Sequence, residues 1–339
     1  MSPQSALVRV SDGRDLSSAE MLSIMRQIMA GEVSSVMIAA FISSLRTKGE
    51  TVDEIAAAAK VMREFATSVE AGDDSKLLDT CGTGGDGART FNISTVSAFV
   101  AAAAGVKVAK HGGRSVSSNS GSADLLESFG ANIMLSSAQV GQCVERVGIG
   151  FMFAPNHHSA MKYAGPVRKE LGMRTIFNIL GPLTNPAGAN CQLLGVFRKE
   201  LVSVLARVLK LLGSETALVV HGEDGLDELS ISSPTHIAEL KLGEIKEYTI
   251  VPEEFGIKKI DGSLLTADSI ETSKTICEEV FAGKGGPQHD IISLNAGAGI
   301  YVAGMAKDIK EGVERARDVI SSGLAKQKLD EFITFTNQC

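Results

Sequence analysis

Residues 77–87 read Leu-Leu-Asp-Thr-Cys-Gly-Thr-Gly-Gly-Asp-Gly, a short apolar run followed by four glycines within six residues. This pattern predicts a buried strand that ends in a glycine-rich loop. Because glycine has no Cβ, the backbone N–H groups of such a loop can converge on an anion. Residues 90–95 predict a helix start, and a helix N-terminus attracts negative charge. The stretch therefore indicates a strand–loop–helix unit that is suited to a phosphorylated ligand.

The glycine loop does not follow either of the two common nucleotide-binding patterns. No Gly-Lys-Ser/Thr closes it, as a P-loop requires, and its glycine spacing differs from the G-x-G-x-x-G of dinucleotide-binding folds. On the glycines alone, a structural turn and a phosphate site are about equally well supported.

A second loop favours the phosphate interpretation. Residues 106–109 predict a buried strand that ends in Lys-His-Gly-Gly-Arg-Ser-Val-Ser-Ser at 110–118. An ammonium, a guanidinium and several hydroxyls together suit more than one phosphate group. The motif Gly-Ser-Ala-Asp at 121–124 then predicts another helix start.

The third feature is acidic. Residues 218–221 predict a strand, and four carboxylates follow within six residues, at Glu223, Asp224, Asp227 and Glu228. One interpretation is a solvated surface turn. The other is a metal site beside a phosphorylated ligand, because Mg²⁺ binds through one or two carboxylates, waters and substrate phosphates.

The order of apolar patterns predicts the fold class. The first 70 residues contain helix-start signals and no strand pattern, and their third helix is predicted to run to about residue 69. After a polar stretch at 71–75, a predicted hinge, short apolar runs alternate with helical patterns, and residues 247–250 predict antiparallel strands at one edge. We therefore predict an α/β protein with a small all-helical domain and a larger α/β domain around a mainly parallel central sheet.

Composition limits the functional classes. The 339 residues carry a net charge of −7, which gives no general attraction to nucleic acid or to an anionic membrane. No signal peptide is evident, and five scattered cysteines without metal spacing favour a reduced, cytoplasmic setting. Cys81 lies within the glycine loop, where we interpret it as a small loop residue rather than a catalytic thiol.

Several motifs occur together in a fixed order: Gly-Thr-Gly-Gly-Asp, Asn-Ile-Ser-Thr, Lys-His-Gly-x-Arg, Gly-Ser-Ala-Asp and Asp-Glu. Further matching segments are His-His-Ser-Ala-Met at 157–161, Pro-Val-Arg-Lys-Glu-Leu-Gly at 166–172 and Asn-Ile-Leu-Gly-Pro-Leu-Thr-Asn-Pro at 178–186. In these motifs, and over residues 16–337, the chain resembles the anthranilate phosphoribosyltransferases.

The resemblance implies a domain organisation. Residues 1–70, with a returning segment at about 157–190, would form the helical domain, and residues 76–156 and 191–339 the α/β domain that binds phosphoribosyl pyrophosphate. The site would lie between the two domains. A homodimer would form through the helical domain, where four methionines either line the contact or, as we favour, pack in the core. These are Met21, Met25, Met29 and Met37.

The resemblance also implies a reaction. The amine of anthranilate attacks C1 of phosphoribosyl pyrophosphate, and pyrophosphate leaves in a Mg²⁺-dependent step that involves two ions and belongs to tryptophan biosynthesis. The aryl amine is a nucleophile when neutral, so no covalent intermediate and no general base are implied. Neither nucleic acid nor a membrane is expected as a partner.

The residues implied by the resemblance fall into three groups. Phosphoribosyl pyrophosphate would be bound by Gly82, Gly85, Asp86, Thr90, Asn92, Ile93, Ser94, Thr95, Lys110, His111, Gly112, Gly113, Arg114, Ser115, Val116, Ser117, Ser118 and Ser122. The metal ligands would be Ser94, Asp227 and Glu228. Anthranilate would contact Gly82, Gly113 and Arg168. His111 and His158 are candidates along its path, and a purely structural role is equally well supported for each. Sequence alone favours a simpler role for Arg168, as a solvated residue or a surface partner of Glu170.

One position departs from the family pattern. The family usually has Lys-His-Gly-Asn-Arg, and here Gly113 occupies the place of the Asn that contacts anthranilate. The pattern therefore does not predict the affinity for the acceptor or the identity of the acceptor. Two alternatives are a pyrimidine nucleoside phosphorylase, which needs no Asp-Glu metal pair, and a non-enzymatic nucleic-acid-binding relative, which should carry a basic surface.

Overall fold

The computed structural model describes residues 1–72, 76–114 and 120–339. The helices are α1 (Pro3–Ser11), α2 (Ser18–Ala30), α3 (Ser35–Lys48), α4 (Val52–Glu64), α5 (Ile93–Ala103), α6 (Ser122–Ser128), α7 (Ser137–Val147), α8 (Ala154–His157), α9 (Gly165–Leu171), α10 (Phe177–Leu180), α11 (Glu200–Leu211), α12 (Ile270–Phe281), α13 (Pro287–Val302), α14 (Ile309–Ser321) and α15 (Leu324–Gln338). Short 3-10 helices lie at Ser159–Lys162, Gly181–Leu183, Pro252–Phe255 and Gly262–Leu265. The strands are β1 (Leu77–Gly82), β2 (Lys107–Gly112), β3 (Ile149–Phe153), β4 (Cys191–Gly195), β5 (Thr216–Gly222), β6 (Thr235–Lys241) and β7 (Glu244–Ile250). No helix within the described residues is long and apolar enough to cross a membrane.

The N-terminal helices begin at strong local signals. Ser17 and Thr51 cap α2 and α4, and in each case a glutamate three residues later, Glu20 or Glu54, completes a capping box. These reciprocal hydrogen bonds satisfy backbone N–H groups that a helix leaves unpaired at its start. Local sequence therefore sets where these helices begin.

The strands form one mixed sheet in the order β3-β2-β1-β4-β5-β6-β7. The pairs from β3 to β5 are parallel, and β6 and β7 add antiparallel strands at one edge. The predicted fold class, including the antiparallel edge, is confirmed.

Helices cover both faces of the sheet. Leu193 and Leu194 are neighbours on β4 but belong to different buried clusters, as expected because successive side chains on a strand point to opposite faces. Leu193 lies in the cluster that holds Phe99 of α5, and Leu194 lies in the cluster that holds Leu205 of α11. The sheet is thus buried on both sides, as parallel sheets usually are.

The second cluster continues into the N-terminal helices. It contains Met25 of α2 and Phe41 of α3, together with Val167 and Leu180 from the returning segment. The N-terminal helices and the returning segment thus share one apolar cluster with one face of the sheet, and the domain boundaries implied by the resemblance stay a prediction. Met21, Met25 and Met29 are buried and Met37 is partly buried, so the core role favoured for these methionines is confirmed.

The link between α4 and β1 differs from the prediction. Helix α4 ends at Glu64 and does not continue to about residue 69. The N–H of Thr67 instead donates to the carbonyl of His157 at 2.8 Å, and Nδ1 of His157 lies 3.0 Å from the carbonyl of Thr67. Of the predicted hinge at 71–75, residues 73–75 lie outside the described part of the chain.

Candidate functional site

The three loops singled out from the sequence meet at one edge of the sheet. The glycine loop follows β1, Lys110 and Gly113 lie at the end of β2, and the acidic loop follows β5. These strands are parallel neighbours, with β4 between β1 and β5, so their carboxyl ends lie side by side. Ligands of open α/β sheets bind at this edge.

The glycine loop turns sharply. Gly84, Gly85 and Gly87 have φ angles of 67°, 75° and 79°, a region that side chains with a Cβ rarely adopt. The N–H of Thr83 donates to the carbonyl of Gly195 at 2.9 Å. The N–H of Gly84 donates to Oδ2 of Asp227 at 2.7 Å, which joins the glycine loop to the acidic loop.

Two glycines allow that close approach. A Cβ on Gly82 would overlap Oδ2 of Asp227 and lie 2.9 Å from its Cγ. A Cβ on Gly195 would overlap the backbone carbonyl of Asp227. The acidic loop lies across the ends of β1 and β4 because both strands end in glycine.

The C-terminal part of the acidic loop, which carries Asp227 and Glu228, is not a solvated turn. Glu228 is only 9% exposed, and burial, followed by repulsion from Asp227, raises the pKa of its carboxyl. Burial and the nearby Asp86 raise the pKa of Asp227 to about 7. Carboxylates that are close together and partly desolvated are poorly stabilised as anions without a cation.

These donors fit a magnesium ion that is held mainly by waters and substrate. In the described residues no group of three or more His, Cys, Asp or Glu side chains is placed to hold a metal. Two adjacent carboxylates with raised pKa values, beside the glycine loop, match the small number of protein ligands that Mg²⁺ takes at phosphate sites. The arrangement agrees with Asp227 and Glu228 as metal residues.

Lys110 lies beneath the start of α5. Its side chain is 2% exposed, and its Nζ donates to the carbonyl of Thr80 at 2.5 Å and to Oγ of Ser94 at 3.3 Å. Burial lowers the pKa of Lys110, while the charge of Asp79 acts in the opposite direction. The contact places the ammonium beside the predicted metal ligand Ser94.

Asp79 supports this lysine and was not assigned a role from the sequence. It is fully buried, and it accepts hydrogen bonds from Nδ2 of Asn185 at 2.8 Å and from the N–H of His111 at 3.3 Å. Burial raises the pKa of Asp79, and the charge of Lys110 opposes that shift. Asp79 and Lys110 thus form a buried pair of opposite charges beneath the glycine loop.

The first turn of α5 is not capped by its own N-cap residue. Asn92 is its N-cap residue, but the Asn92 side chain makes no capping bond. Its amide donates to the carbonyl of Ser120 at 3.1 Å, and its Oδ1 accepts from the hydroxyls of Ser120 at 2.9 Å and Ser273 at 2.8 Å. The Glu228 carboxylate instead accepts a backbone hydrogen bond from Ser94 in this turn, so the acidic loop lies against the N-terminus of α5.

Other predicted ligand residues are engaged within the protein. Oγ1 of Thr95 donates to Oγ of Ser122 at 3.0 Å, and Ile93 is buried, so Ile93 offers only its backbone. Thr90 bridges to Thr266 in a short antiparallel contact. Arg114 donates to Oδ1 of Asp124 at 3.1 Å and also pairs with Glu127. Ser115, Val116, Ser117 and Ser118 lie outside the described residues.

Cys81 behaves as a structural residue. Its Sγ accepts a hydrogen bond from Nε2 of Gln192 at 3.1 Å. Burial, and then the charge of Asp79, raise the pKa of the Cys81 thiol well above its usual range. A thiol that resists deprotonation is a poor nucleophile, which supports the small-residue interpretation.

His111 and His158, the two candidates along the path of anthranilate, form a buried pair. Their ring centroids are 4.9 Å apart, and Nε2 of each is buried without a hydrogen-bond partner in the described structure. Burial lowers the pKa of His111 to about 3 and that of His158 to about 4. Both imidazoles are therefore neutral near pH 7.

His158→Gln should weaken the acid sensitivity of folding. An unfolded histidine takes up a proton near pH 6.5, whereas folded His158 does so near pH 4. Acidification between these values therefore favours the unfolded chain, by up to about 1.4 kcal/mol per pH unit. Urea unfolding at pH 6.5, 5.5 and 4.5 should show a shallower loss of stability in the variant. Equal slopes in the variant and the parent would contradict the buried neutral state.

Arg168 carries a positive charge that has no acidic partner among the described residues. The Arg168–Glu170 pair considered from the sequence is absent from the ion pairs of the described residues, and the guanidinium carbon lies 5.6 Å from the ring centroid of Phe177. Burial lowers the pKa of Arg168. A half-buried, unpaired guanidinium is suited to binding a carboxylate in a forked geometry.

The comparisons with known proteins agree with this arrangement. A family model described as "Glycosyl transferase family, a/b domain" matches residues 74–326, and one described as "Glycosyl transferase family, helical bundle domain" matches residues 4–66. The anthranilate phosphoribosyltransferase of Chromobacterium violaceum is 58% identical over 338 residues, which cover 100% of this chain and 99% of the relative. The chain belongs to the anthranilate phosphoribosyltransferase family.

Solved structures of this family share the fold over the whole chain. The enzyme of Thermus thermophilus is 44% identical, with a TM-score of 0.93 over 98% of this chain and 99% of its own. The Saccharomyces cerevisiae enzyme, solved with PRPP and Mg, is 29% identical, with a TM-score of 0.91 over 99% and 98% of the two chains. Family membership thus rests on sequence and on fold.

Sequence reasoning missed three supporting residues of the site: Asp79, Asn185 and Gly195. Asp79 stands inside the decisive stretch, and its acidic side chain within an apolar strand was an available signal. Asn185 and Gly195 gave no comparable signal, because their roles depend on contacts with residues that are distant in sequence.

Proposed function

We propose that this chain transfers the phosphoribosyl group of phosphoribosyl pyrophosphate to the amine of anthranilate, giving N-(5-phosphoribosyl)anthranilate and pyrophosphate. As a member of its family it would act in tryptophan biosynthesis. The observation that carries the proposal is the hydrogen bond between Gly84 and Asp227, which joins a loop suited to phosphate with a pair suited to Mg²⁺.

We assign phosphoribosyl pyrophosphate to the carboxyl edge of the sheet. Gly82, Gly85 and Asp86 would bind it together with the first turn of α5 and Lys110. In support, the related yeast enzyme has been solved with PRPP and Mg. Backbone N–H groups and the buried ammonium would orient the phosphates and offset their negative charge.

We assign Mg²⁺, as two ions, to Asp227, Glu228 and the hydroxyl of Ser94. When bound, Mg²⁺ stabilises the negative charge that develops on the leaving pyrophosphate. The carboxylates would hold the cation, while Lys110, whose Nζ donates to Oγ of Ser94, would provide a second donor near the leaving group.

Anthranilate would be held by its carboxylate at Arg168 and would approach past Gly113 and the two histidines. His111 and His158 are neutral, so they leave the amine of the acceptor unprotonated and add no charge next to it. The neutral aryl amine then attacks C1 of the ribose as the C1–O bond to pyrophosphate breaks, in a transition state that resembles that of glycoside cleavage, and the acidic arylammonium so formed passes its proton to the departing pyrophosphate. The chain needs to orient the two substrates and exclude water, without supplying a strong base.

The activity can be tested by anthranilate fluorescence. The signal should fall only when the protein, phosphoribosyl pyrophosphate and Mg²⁺ are all present. A parallel assay with thymidine and inorganic phosphate should give no thymine. Phosphorolysis of thymidine without loss of anthranilate would instead identify a pyrimidine nucleoside phosphorylase.

Gly113→Asn should strengthen acceptor binding. Gly113 does not have a positive φ, and among the described residues a Cβ there would meet Cβ of Ala154, at the ordinary contact distance of 3.9 Å. A side chain therefore fits, and the Asn amide can donate one hydrogen bond to anthranilate. We expect the KM for anthranilate to fall by the factor that corresponds to about 0.5–1.5 kcal/mol, with little change in the KM for phosphoribosyl pyrophosphate.

Gly113→Ala is the matched control for this change. Alanine restricts the backbone as asparagine does but offers no amide, so its KM for anthranilate should stay near that of the parent. We also expect the parent, with this volume vacant, to accept ring-substituted anthranilates better than the Asn variant. If Asn and Ala give the same KM values, the hypothesis of a missing acceptor contact is wrong.

We further propose a homodimer that forms through the helical domain. Val8 on α1 and Val36 on α3 are 57% and 79% exposed, so these helices present apolar side chains to solvent. Light scattering should give about twice the chain mass of 35.6 kDa, and Val36→Lys should shift the protein toward monomer.

The five cysteines are free thiols, which supports our proposal of a cytoplasmic setting.

A further inference from the structure

Arg174 is a basic residue that reaches the glycine loop from the helical side of the molecule. It lies between α9 and α10, in the returning segment that packs with the N-terminal helices. Its Nη2 donates to the backbone carbonyl of Gly85. The guanidinium carbon also lies 4.1 Å from the ring centroid of Phe197, just after β4.

The backbone of Arg174 is itself held by the N-terminal helices. Nη1 of Arg46, near the end of α3, donates to the carbonyl of Arg174. The next residue, Thr175, donates its N–H to Oδ1 of Asn178 at 3.0 Å, which fixes the turn into α10. A continuous set of contacts thus runs from α3 through Arg174 to the glycine loop.

Gly85 is shaped to receive this guanidinium. Its φ is 75°, and a Cβ at this position would lie 3.3 Å from Nη2 of Arg174, tighter than an ordinary contact. The loop is therefore held from two sides. Asp227 of the α/β domain accepts the N–H of Gly84, and Arg174 of the helical side donates to the carbonyl of Gly85.

We propose that Arg174 is a positioning residue that couples the helical domain to the conformation of the glycine loop, and thereby to the binding of phosphoribosyl pyrophosphate. The proposal rests on the assignment of that substrate to this loop. A hydrogen bond from a charged donor is strong enough to select one of several conformations of a glycine-rich loop. Movement of the returning segment would move Arg174 and release the carbonyl of Gly85.

Arg198 provides a matched control. Its guanidinium carbon lies 5.2 Å from the same Phe197 ring, and in the described structure it makes no hydrogen bond to the glycine loop. Arg198→Gln therefore removes a neighbouring charge and a ring contact while leaving the Arg174–Gly85 bond in place. A general effect of charge near Phe197 would appear in both variants.

The kinetic test compares Arg174→Gln, Arg174→Lys and Arg198→Gln. Loss of a hydrogen bond from a charged group should raise the KM for phosphoribosyl pyrophosphate about 10-fold in Arg174→Gln. Lysine can donate to the carbonyl but cannot reproduce the planar stacking, so Arg174→Lys should lie between Gln and the parent. Arg198→Gln should match the parent, and the KM for anthranilate at saturating phosphoribosyl pyrophosphate should change less than 2-fold in all three.

A second measurement needs no ligand. Hydrogen–deuterium exchange of peptides covering residues 82–90 should be faster in Arg174→Gln than in the parent and in Arg198→Gln, at equal thermal stability. Arg46→Gln should raise the same exchange by a smaller factor and should add little when combined with Arg174→Gln, because both act through one path.

These outcomes separate the coupling from the proposed function. Unchanged exchange in Arg174→Gln overturns the coupling even if the parent is fully active. Faster exchange with an unchanged KM for phosphoribosyl pyrophosphate overturns the link between loop order and substrate binding. Failure of the parent to consume anthranilate would instead overturn the proposed function.

Discussion

Replacing Asp227 with Asn and Glu228 with Gln should lower turnover at least about 100-fold without destabilising the protein. Loss of the cation that neutralises a leaving pyrophosphate removes at least ~3 kcal/mol of transition-state stabilisation. In the metal-free protein, however, these carboxylates are held close together and partly desolvated, which raises both pKa values. Neutral amides of the same shape remove that repulsion. We therefore expect a thermal midpoint equal to or above that of the parent when both are measured in EDTA.

Glu223→Gln is the matched control for this pair. Glu223 belongs to the same acidic loop but is exposed, and its partner among the described residues is His236, at 2.9 Å. A surface pair of this kind contributes little, so activity and stability should both stay near the parent values. The magnesium assignment fails if the double variant retains near-parental turnover at limiting Mg²⁺.

The sequence predicted the parts of the fold that depend on neighbouring residues. Ser17 and Thr51 cap their helices through residues three positions away, and the short apolar runs became β1 to β5. Helix α1 was missed although Ser2 and Pro3 form a start signal. The end of α4 was placed too late, because Thr67 pairs with His157, which lies 90 residues further along the chain.

At the site, too, features that depend on neighbouring residues were predicted from the sequence, whereas contacts between distant residues were not. Loop composition was enough to predict which segments would bind anions, since glycines, cations and hydroxyls act through their own chemistry. It did not indicate that Glu228 is buried, because the turn is acidic and two residues that act on its carboxyl, Lys110 and Ser94, are remote in sequence. Nor did it indicate that Arg174 reaches Gly85, because that contact joins residues 89 positions apart.

The contact between Gly195 and the backbone of Asp227 requires that residue 195 has no Cβ. Gly195→Ala should therefore have the largest steric effect of the substitutions considered. The added Cβ would overlap the backbone carbonyl of Asp227, and a backbone group cannot rotate away as a side chain can. Either β4 or the acidic loop must shift. Overpacking of this kind costs about 1–3 kcal/mol. The shift would also break the bond from the N–H of Gly84 to Asp227, so the Mg²⁺ concentration for half-maximal rate should rise by about 10-fold, the equivalent of ~1.4 kcal/mol.

Gly285→Ala isolates the general effect of replacing a glycine. Gly285 is exposed, has no positive φ, and would place its Cβ in open space. Its free energy of unfolding in urea should equal or slightly exceed that of the parent, because alanine lowers the entropy of the unfolded chain. Gly195→Ala should unfold at lower urea and require more Mg²⁺, whereas matching curves for the two variants would show that the acidic loop does not depend on the missing Cβ of Gly195. A lower stability with unchanged Mg²⁺ dependence would separate the packing of the loop from its role in holding the metal.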